Sequence, residues 1–172
     1  LKTKHTYLGL TLDAPLLSWK EHINNLVTSC ASRLNIMRSL AGTSWGCSRS
    51  TLLQFYLAYI RSKINDGAAI YQSASPSLLK KVSVIQSSAI RAITGAWRST
   101  PIAALNCELG LLPSELYREE QIAIQFIKIS QQTTSHPVHK LLDRDAKNYP
   151  VTFPHKISFN QRAIRILDRL GT

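Results

Sequence analysis

Two-metal phosphoryl transfer, acid-base hydrolysis and metal ligation all need clustered side chains, and the carboxylates of this chain are dispersed. Holding two divalent cations at bridging distance takes more than one Asp or Glu, yet Asp13, Asp66 and Glu108 are isolated from one another. Glu119 and Glu120 are adjacent but fall in a helical stretch, where neighbours point about 100° apart. Asp143 and Asp145 flank Arg144 and read as a solvated turn. His136 and His139 have a spacing that a metal could exploit, but no Cys or carboxylate pattern completes four ligands nearby, so they read as a surface-loop pair. Cys30 falls on an apolar helical face and reads as core, while Cys47 lies in a loop without a His partner to activate it. The run Gly42-Thr43-Ser44-Trp45-Gly46 is too short for a phosphate-cradling loop and lacks its Lys. These residues predict no catalytic centre, no metal site and no cofactor held by this chain.

What remains is a basic surface with aromatics. Lys20, Arg33 and Arg38 fall along one expected helix, Arg61 and Lys63 on the next, and Lys80, Lys81, Arg91 and Arg98 on or just after a third. Residues 76–98 carry no acid, whereas residues 99–135 set Arg118 and Lys128 against Glu108, Glu115, Glu119 and Glu120. Such a surface can track a phosphate backbone, with Trp45 or Trp97 available to stack on a base or sugar. The competing reading is a solvated charged face and core tryptophans.

The elements that must position these groups follow from periodicity. Residues 6–12 are rich in strand formers, contain a Gly, and run into the turn signal Asp13-Ala14-Pro15, which predicts one short strand with a tight exit. Ser18 and Glu21 have capping-box spacing, and Trp19, Ile23, Leu26, Val27, Cys30, Leu34, Met37 and Leu40 recur every three or four residues. That pattern predicts a long amphipathic helix ending before Gly42. Leu52, Leu53, Tyr56, Leu57, Ile60 and Ile64 predict a second helix from about residue 49, kinked at Gly67 on its way to Tyr71. Ser75-Pro76 opens a third, with Leu79, Val82, Ile85, Ala89 and Ile93 on one face and its end near Gly95. Thr100-Pro101 and Gly110 bracket a short helix, and Pro113 begins another. Residues 131–159 read as a polar loop with at most a turn or two of helix near residues 138–142, and a last helix covers residues 160–170. The expected fold class is mainly α: a short N-terminal β element, a helical bundle and a loosely packed helical tail.

A chain of 172 residues, 44% of them hydrophobic, is one domain's length and can bury a sizeable core. Lys and Arg number 21 against 10 Asp and Glu, a net charge of +11 with a pI near 9.9. That excess favours a polyanionic partner, nucleic acid ahead of an anionic membrane. Three scattered cysteines without Cys-x-x-Cys spacing argue against a disulfide framework and for an intracellular, reducing home. No apolar run reaches the length of a membrane span, so no membrane partner is expected. A first residue of Leu1 and not Met is expected of a chain that lacks its true beginning.

Several segments carry a family likeness. Tyr7-Leu8-Gly9-Leu10-Thr11-Leu12-Asp13 followed by Leu17-Ser18-Trp19-Lys20-Glu21-His22-Ile23 resembles the end of the reverse transcriptase domain of jockey-type non-LTR retrotransposons. Ile90-Arg91-Ala92-Ile93-Thr94-Gly95-Ala96, Thr100-Pro101 and Glu108-Leu109-Gly110-Leu111-Leu112-Pro113 are similar to the region after that family's palm, in the same order. The resemblance implies that residues 1–17 end a palm with a primer-grip-like element, 18–98 form a thumb-like helical bundle, 99–135 are connection helices, and 136–172 are a loop and C-terminal helix. It implies that Tyr7, Leu8 and Gly9 contact the primer, that the basic helices contact an RNA-DNA hybrid or duplex, and that a palm and fingers are further partners, in the nucleus or cytoplasm. The family's Mg is held by paired Asp residues upstream of the matching segment, and no Tyr-x-Asp-Asp occurs here, so this chain alone is expected to be inactive. A stand-alone helical module that binds nucleic acid or protein, and a non-functional relic of such an element, are the alternatives.

Overall fold

The computed structural model describes residues 4–13, 17–42, 45–133, 136, 137, 139 and 157–171. The chain is mainly helical with a two-stranded antiparallel sheet at its start. The strands are β1 (Lys4–Tyr7) and β2 (Leu10–Asp13), in register with Tyr7 opposite Leu10 and Lys4 opposite Asp13. Residues 6–12 are therefore a hairpin and not the single strand expected. Leu8 and Gly9, at φ 46° and 82°, form its two-residue turn. Positive φ at both central positions matches the right-handed twist of paired strands, and Gly9 takes it without a Cβ penalty.

Helix α1 (Lys20–Leu40) buries Ile23, Leu26, Cys30, Leu34 and Met37, the stripe its spacing predicts. Its start differs from the expected capping box. Trp19 occupies the cap position in the left-handed region (φ 62°), Ser18 Oγ donates to Asp13 Oδ2, and Glu21 reaches out to Lys4 Nζ at 2.6 Å. A left-handed non-glycine costs about 1–2 kcal/mol. Burial of the indole, 2% exposed, and its Nε1–H bond to Ser73 Oγ at 2.7 Å offset that cost.

The expected second helix is a broken rod. It comprises α2 (Arg49–Phe55), a π-helical stretch (Tyr56–Arg61), α3 (Ser62–Asn65) and, after Gly67, α4 (Ala68–Tyr71). Within the π stretch the Ser62 N–H bonds Leu57 O, and the wider turn carries Ile60 and Arg61 together into the interior. Helix α5 (Pro76–Thr94) follows and stops at Gly95 (φ 67°), whose N–H bonds Arg91 O at 2.9 Å. Then come α6 (Ile102–Leu109), α7 (Ser114–Ser130) and α8 (Phe159–Leu170). Pro101 and Gly110 bracket α6 as expected, while Pro113 stands one residue outside the helix it is expected to begin. The expectations for residues 14–15, 43–44, 138, 140–150 and 154, including the helical turns near Leu142 and the Asp143/Asp145 turn, lie outside the described residues.

Contacts fix the helix directions. Lys81 Nζ reaches Asn24 Oδ1 at 3.0 Å, and Arg38 and Arg91 line one groove, so α1 and α5 run parallel. Tyr71 packs on His22 and Tyr59 on Arg33, so the broken rod runs back antiparallel to α1. Their facing stripes make the main core, from Trp19 and Ile23 through Tyr56 and Ile60 to Ala89 and Ile93, with Leu10 and Leu12 of the hairpin against it. A smaller cluster joins α7 and α8 through Ile122, Ala123, Ala163 and Ile166.

Gly67 adopts φ 67°, and a Cβ there would stand 2.6 Å from Leu10 Cδ2. Gly67→Ala is expected to cost about 1–2 kcal/mol for the left-handed backbone alone, plus the displacement of Leu10. Urea unfolding should show a lower midpoint at unchanged slope.

Candidate nucleic-acid interface

Arg38 stands in the last turn of α1 and Arg91 in the last turn of α5, where a helix C-terminus favours a cation. Because the two helices are parallel, these ends meet. With Arg98 of the following loop they line a groove of about 870 Å³. Its remaining walls are mostly small residues, among them Ala41, Ser87, Ser88, Ala92 and Gly95, and no carboxylate is among its described lining residues. Arg91 also organises the loop after α5, since its Nη2 donates to the carbonyls of Arg98 at 3.2 Å and Thr100 at 3.3 Å. Arg38 and Arg98 can each present paired N–H donors to a phosphate oxygen across the open trough, while Arg91, with Nη2 held by those carbonyls and Nε buried, adds its charge and Nη1.

The other sequence-predicted residues lie elsewhere. Lys20, Lys80 and Lys81 are exposed near the opposite end of the α1–α5 pair. Arg33 turns to the broken rod, with its guanidinium 4.4 Å from the Tyr59 ring centre and Nη1 bonded to Tyr59 O. Tyr7 and Leu8, 67% and 82% exposed, project with Gly9 from the hairpin tip. The hairpin packs where Thr11 N–H meets His22 Nδ1 at 3.4 Å, and His22 is 16 residues before Arg38. At 1.5 Å per residue that separates hairpin and groove by roughly 24 Å along α1. The predicted residues therefore form a grooved end and a hairpin end of one face-bearing pair of helices.

Two cations expected on the basic surface are engaged within the chain, Arg61 in its interior and Lys63 at the surface. Arg61 is buried, donates to Leu112 O at 3.1 Å and lies 5.2 Å from the Tyr117 ring centre, while Lys63 pairs with Asp66 at 3.4 Å. Sequence reasoning also passed over Arg118, which is 2% exposed and bonds Gln72 Oε1 through Nε. The small residues Ser87, Ser88, Ala92, Gly95 and Ala96, spaced on one side of the helix end, are a legible sign of the groove, because side chains that short leave a trough between packed helices. His139 Nε2 lies 3.1 Å from Gln132 O, and no group of three His, Cys, Asp or Glu able to hold a metal occurs among the described residues. No described helix is long and apolar enough to cross a membrane.

Comparison with known protein families, with curated proteins and with solved structures finds no match to this chain.

Burial shapes the titration of the groups that anchor the hairpin end. Desolvation lowers the His22 pKa from its ordinary 6.5, Lys63 adds to that, and Asp66 and Asp13 oppose it. Burial pushes the Tyr56 hydroxyl up to about 12 and raises Tyr71 further. A His whose folded-state pKa is depressed takes up its proton more readily when unfolded. Its contribution to stability is complete above 6.5 and declines as pH falls below it. The urea midpoint should therefore drop between neutrality and about pH 5, and a His22→Gln variant should show a flatter profile over the same interval.

Proposed function

We propose that this chain grips the sugar-phosphate backbone of duplex nucleic acid as the thumb and connection region of a reverse transcriptase of the jockey-type non-LTR class. The observation that carries the reading is the groove in which Arg38, Arg91 and Arg98 converge with no acid among the described lining residues. Phosphates neutralised there release condensed counterions, a source of affinity that needs no base code. Lys20, Lys80 and Lys81 extend the positive surface along α1 and α5, a span of about 30 Å for a helix of 21 residues. One turn of duplex is roughly 34 Å long, so the pair is suited to following a backbone along its length.

The likeness of residues 7–13, 17–23, 90–96 and 108–113 to that family supplies the polymerase context. In that context the hairpin tip of Tyr7, Leu8 and Gly9 approaches a primer end, and Gly9 at φ 82° leaves its backbone open to close contact. Nucleotidyl transfer belongs to the parent enzyme's Asp pair and its Mg, and the role of these residues is to hold. A second reading, a helical module that docks on another protein, draws on the exposed apolar tip of Tyr7 and Leu8.

The test is binding of the purified chain to a labelled RNA-DNA hybrid and to duplex DNA across a salt series, beside a nucleotide-incorporation assay. Three phosphate contacts predict a slope of log affinity against log salt of roughly −3, and Arg38→Gln with Arg98→Gln should reduce its size by about two. No incorporation is expected. A folded chain that fails to bind either duplex at low salt refutes the reading and leaves the protein-docking one.

A further inference from the structure

The fold buries one tryptophan and leaves two in water at the same end. Trp19 is 2% exposed, whereas Trp45 is 73% and Trp97 is 84% exposed. Trp97 is the second residue after Gly95, which ends α5, and Trp45 lies in the loop that leaves α1. Since α1 and α5 run parallel, both loops depart from the end that carries the arginine groove, whose walls include Ala41 just after α1 and Arg98 just after Trp97.

An exposed indole forgoes the burial of about 150–250 Å² that makes Trp a core residue, and two on loops that leave the same end of the bundle are more than scattered surface apolarity. Nor is Trp97 on a slack segment. Ala96 N–H bonds Thr94 Oγ1 at 3.3 Å, Thr100 N–H bonds Trp97 O at 3.0 Å, and Arg91 Nη2 holds the carbonyls of Arg98 and Thr100. The backbone around the indole is pinned at three points while the ring itself stays in solvent. Little ordering entropy is then left for a ligand to overcome.

We infer that this end of the bundle is a binding site for unpaired nucleotides, with bases stacked on Trp97 and Trp45 and their phosphates on Arg38, Arg91 and Arg98. The inference rests on the nucleic-acid reading of the groove and narrows its substrate to a single strand or a duplex with an unpaired overhang. Base faces inside a duplex are covered by their neighbours, so an indole stacks only where a base is free. Guanidiniums lining a concavity, with exposed indoles on the two loops that leave the same end of the bundle, suit a strand that alternates base and phosphate. A membrane surface, the other partner of exposed Trp and Arg, is met by a continuous apolar face.

The experiment titrates the full chain with a twelve-nucleotide oligo-dT and with an abasic oligonucleotide of the same length and phosphate number, with blunt RNA-DNA hybrid and phosphatidylserine vesicles in parallel. Anisotropy reads affinity and tryptophan fluorescence reads stacking, with buried Trp19 as the unquenched baseline. The expected result is quenching by oligo-dT and about tenfold tighter binding than the abasic strand. Trp97→Ala should remove most of that difference while leaving blunt-hybrid affinity within about twofold, and Trp97→Phe should retain part of it. Equal affinity for the two oligonucleotides without quenching, while the hybrid still binds, overturns the inference and spares the duplex reading. Failure of every nucleic acid overturns both. Quenching by vesicles but not by oligo-dT overturns it in favour of a membrane surface.

Discussion

Two parallel helices cannot be joined by a tight turn, and the parallel packing of α1 on α5 is the constraint from which the rest of this structure follows. The chain must travel back the full length of α1 before α5 can start, and residues 49–71 make that return as the broken rod. The rod lies against both long helices, so the stripe of Leu52, Tyr56, Ile60 and Ile64 is buried along its whole length. Each fully buried apolar side chain of this size contributes about 1.5–3 kcal/mol, which is how a return segment with a π stretch and a left-handed Gly67 remains ordered. The same constraint puts the C-terminal ends of α1 and α5 together. Arg38, Arg91 and the loops bearing Trp45 and Trp97 are neighbours because of it.

The second requirement is attachment of the parts outside the bundle, and here polar side chains serve. The Arg61 guanidinium and Gln86 Nε2 both donate to Leu112 O, each at 3.1 Å, and so fix the segment between α6 and α7 against the core. Arg118 reaches back from α7 to Gln72 at the end of the return rod. Buried cations of this kind carry a desolvation cost of several kcal/mol, and removing one partner costs more than the pair contributes. Their effect is to specify where α7 lies. The hairpin is held more lightly, by Leu10 and Leu12 on the core and by the Thr11 N–H bond to His22, a bond that a doubly protonated imidazole could not accept.

Most of the helices were legible because burial in this protein is one-sided. Ile23, Leu26, Cys30, Leu34 and Met37, and Val82, Ile85, Ala89 and Ile93, repeat at the period of a helix with one covered face. The hairpin was missed because a glycine between strand formers fits a bulge inside a strand as well as a turn between two. The choice is made by Leu8, which joins Gly9 at positive φ. The capping box failed for a tertiary reason, since Ser18 is engaged by Asp13 and Glu21 by Lys4. Site residues were legible as types but not as a set. Arg33, Arg38 and Arg61 look alike in sequence, yet Arg33 lies on the exposed Tyr59 ring, Arg61 is buried beside Tyr117, and only Arg38 of the three reaches the groove.

That selection bears on how a basic protein comes to have a basic site. Glu21 pairs with Lys4, Glu108 with Arg49, Asp66 with Lys63 and Glu119 with Arg169, all at 3.4 Å or closer. Exposed ion pairs of this sort contribute little to stability, about 0–1 kcal/mol each. Their larger consequence is placement: four of the acids are neutralised at cations away from the groove, and none of these pairs involves Arg38, Arg91 or Arg98. A net charge of +11 spread evenly would give a diffuse field screened within about 10 Å at 0.1 M salt. Confined to a trough with three guanidiniums and no carboxylate among its described lining residues, part of that excess becomes directional.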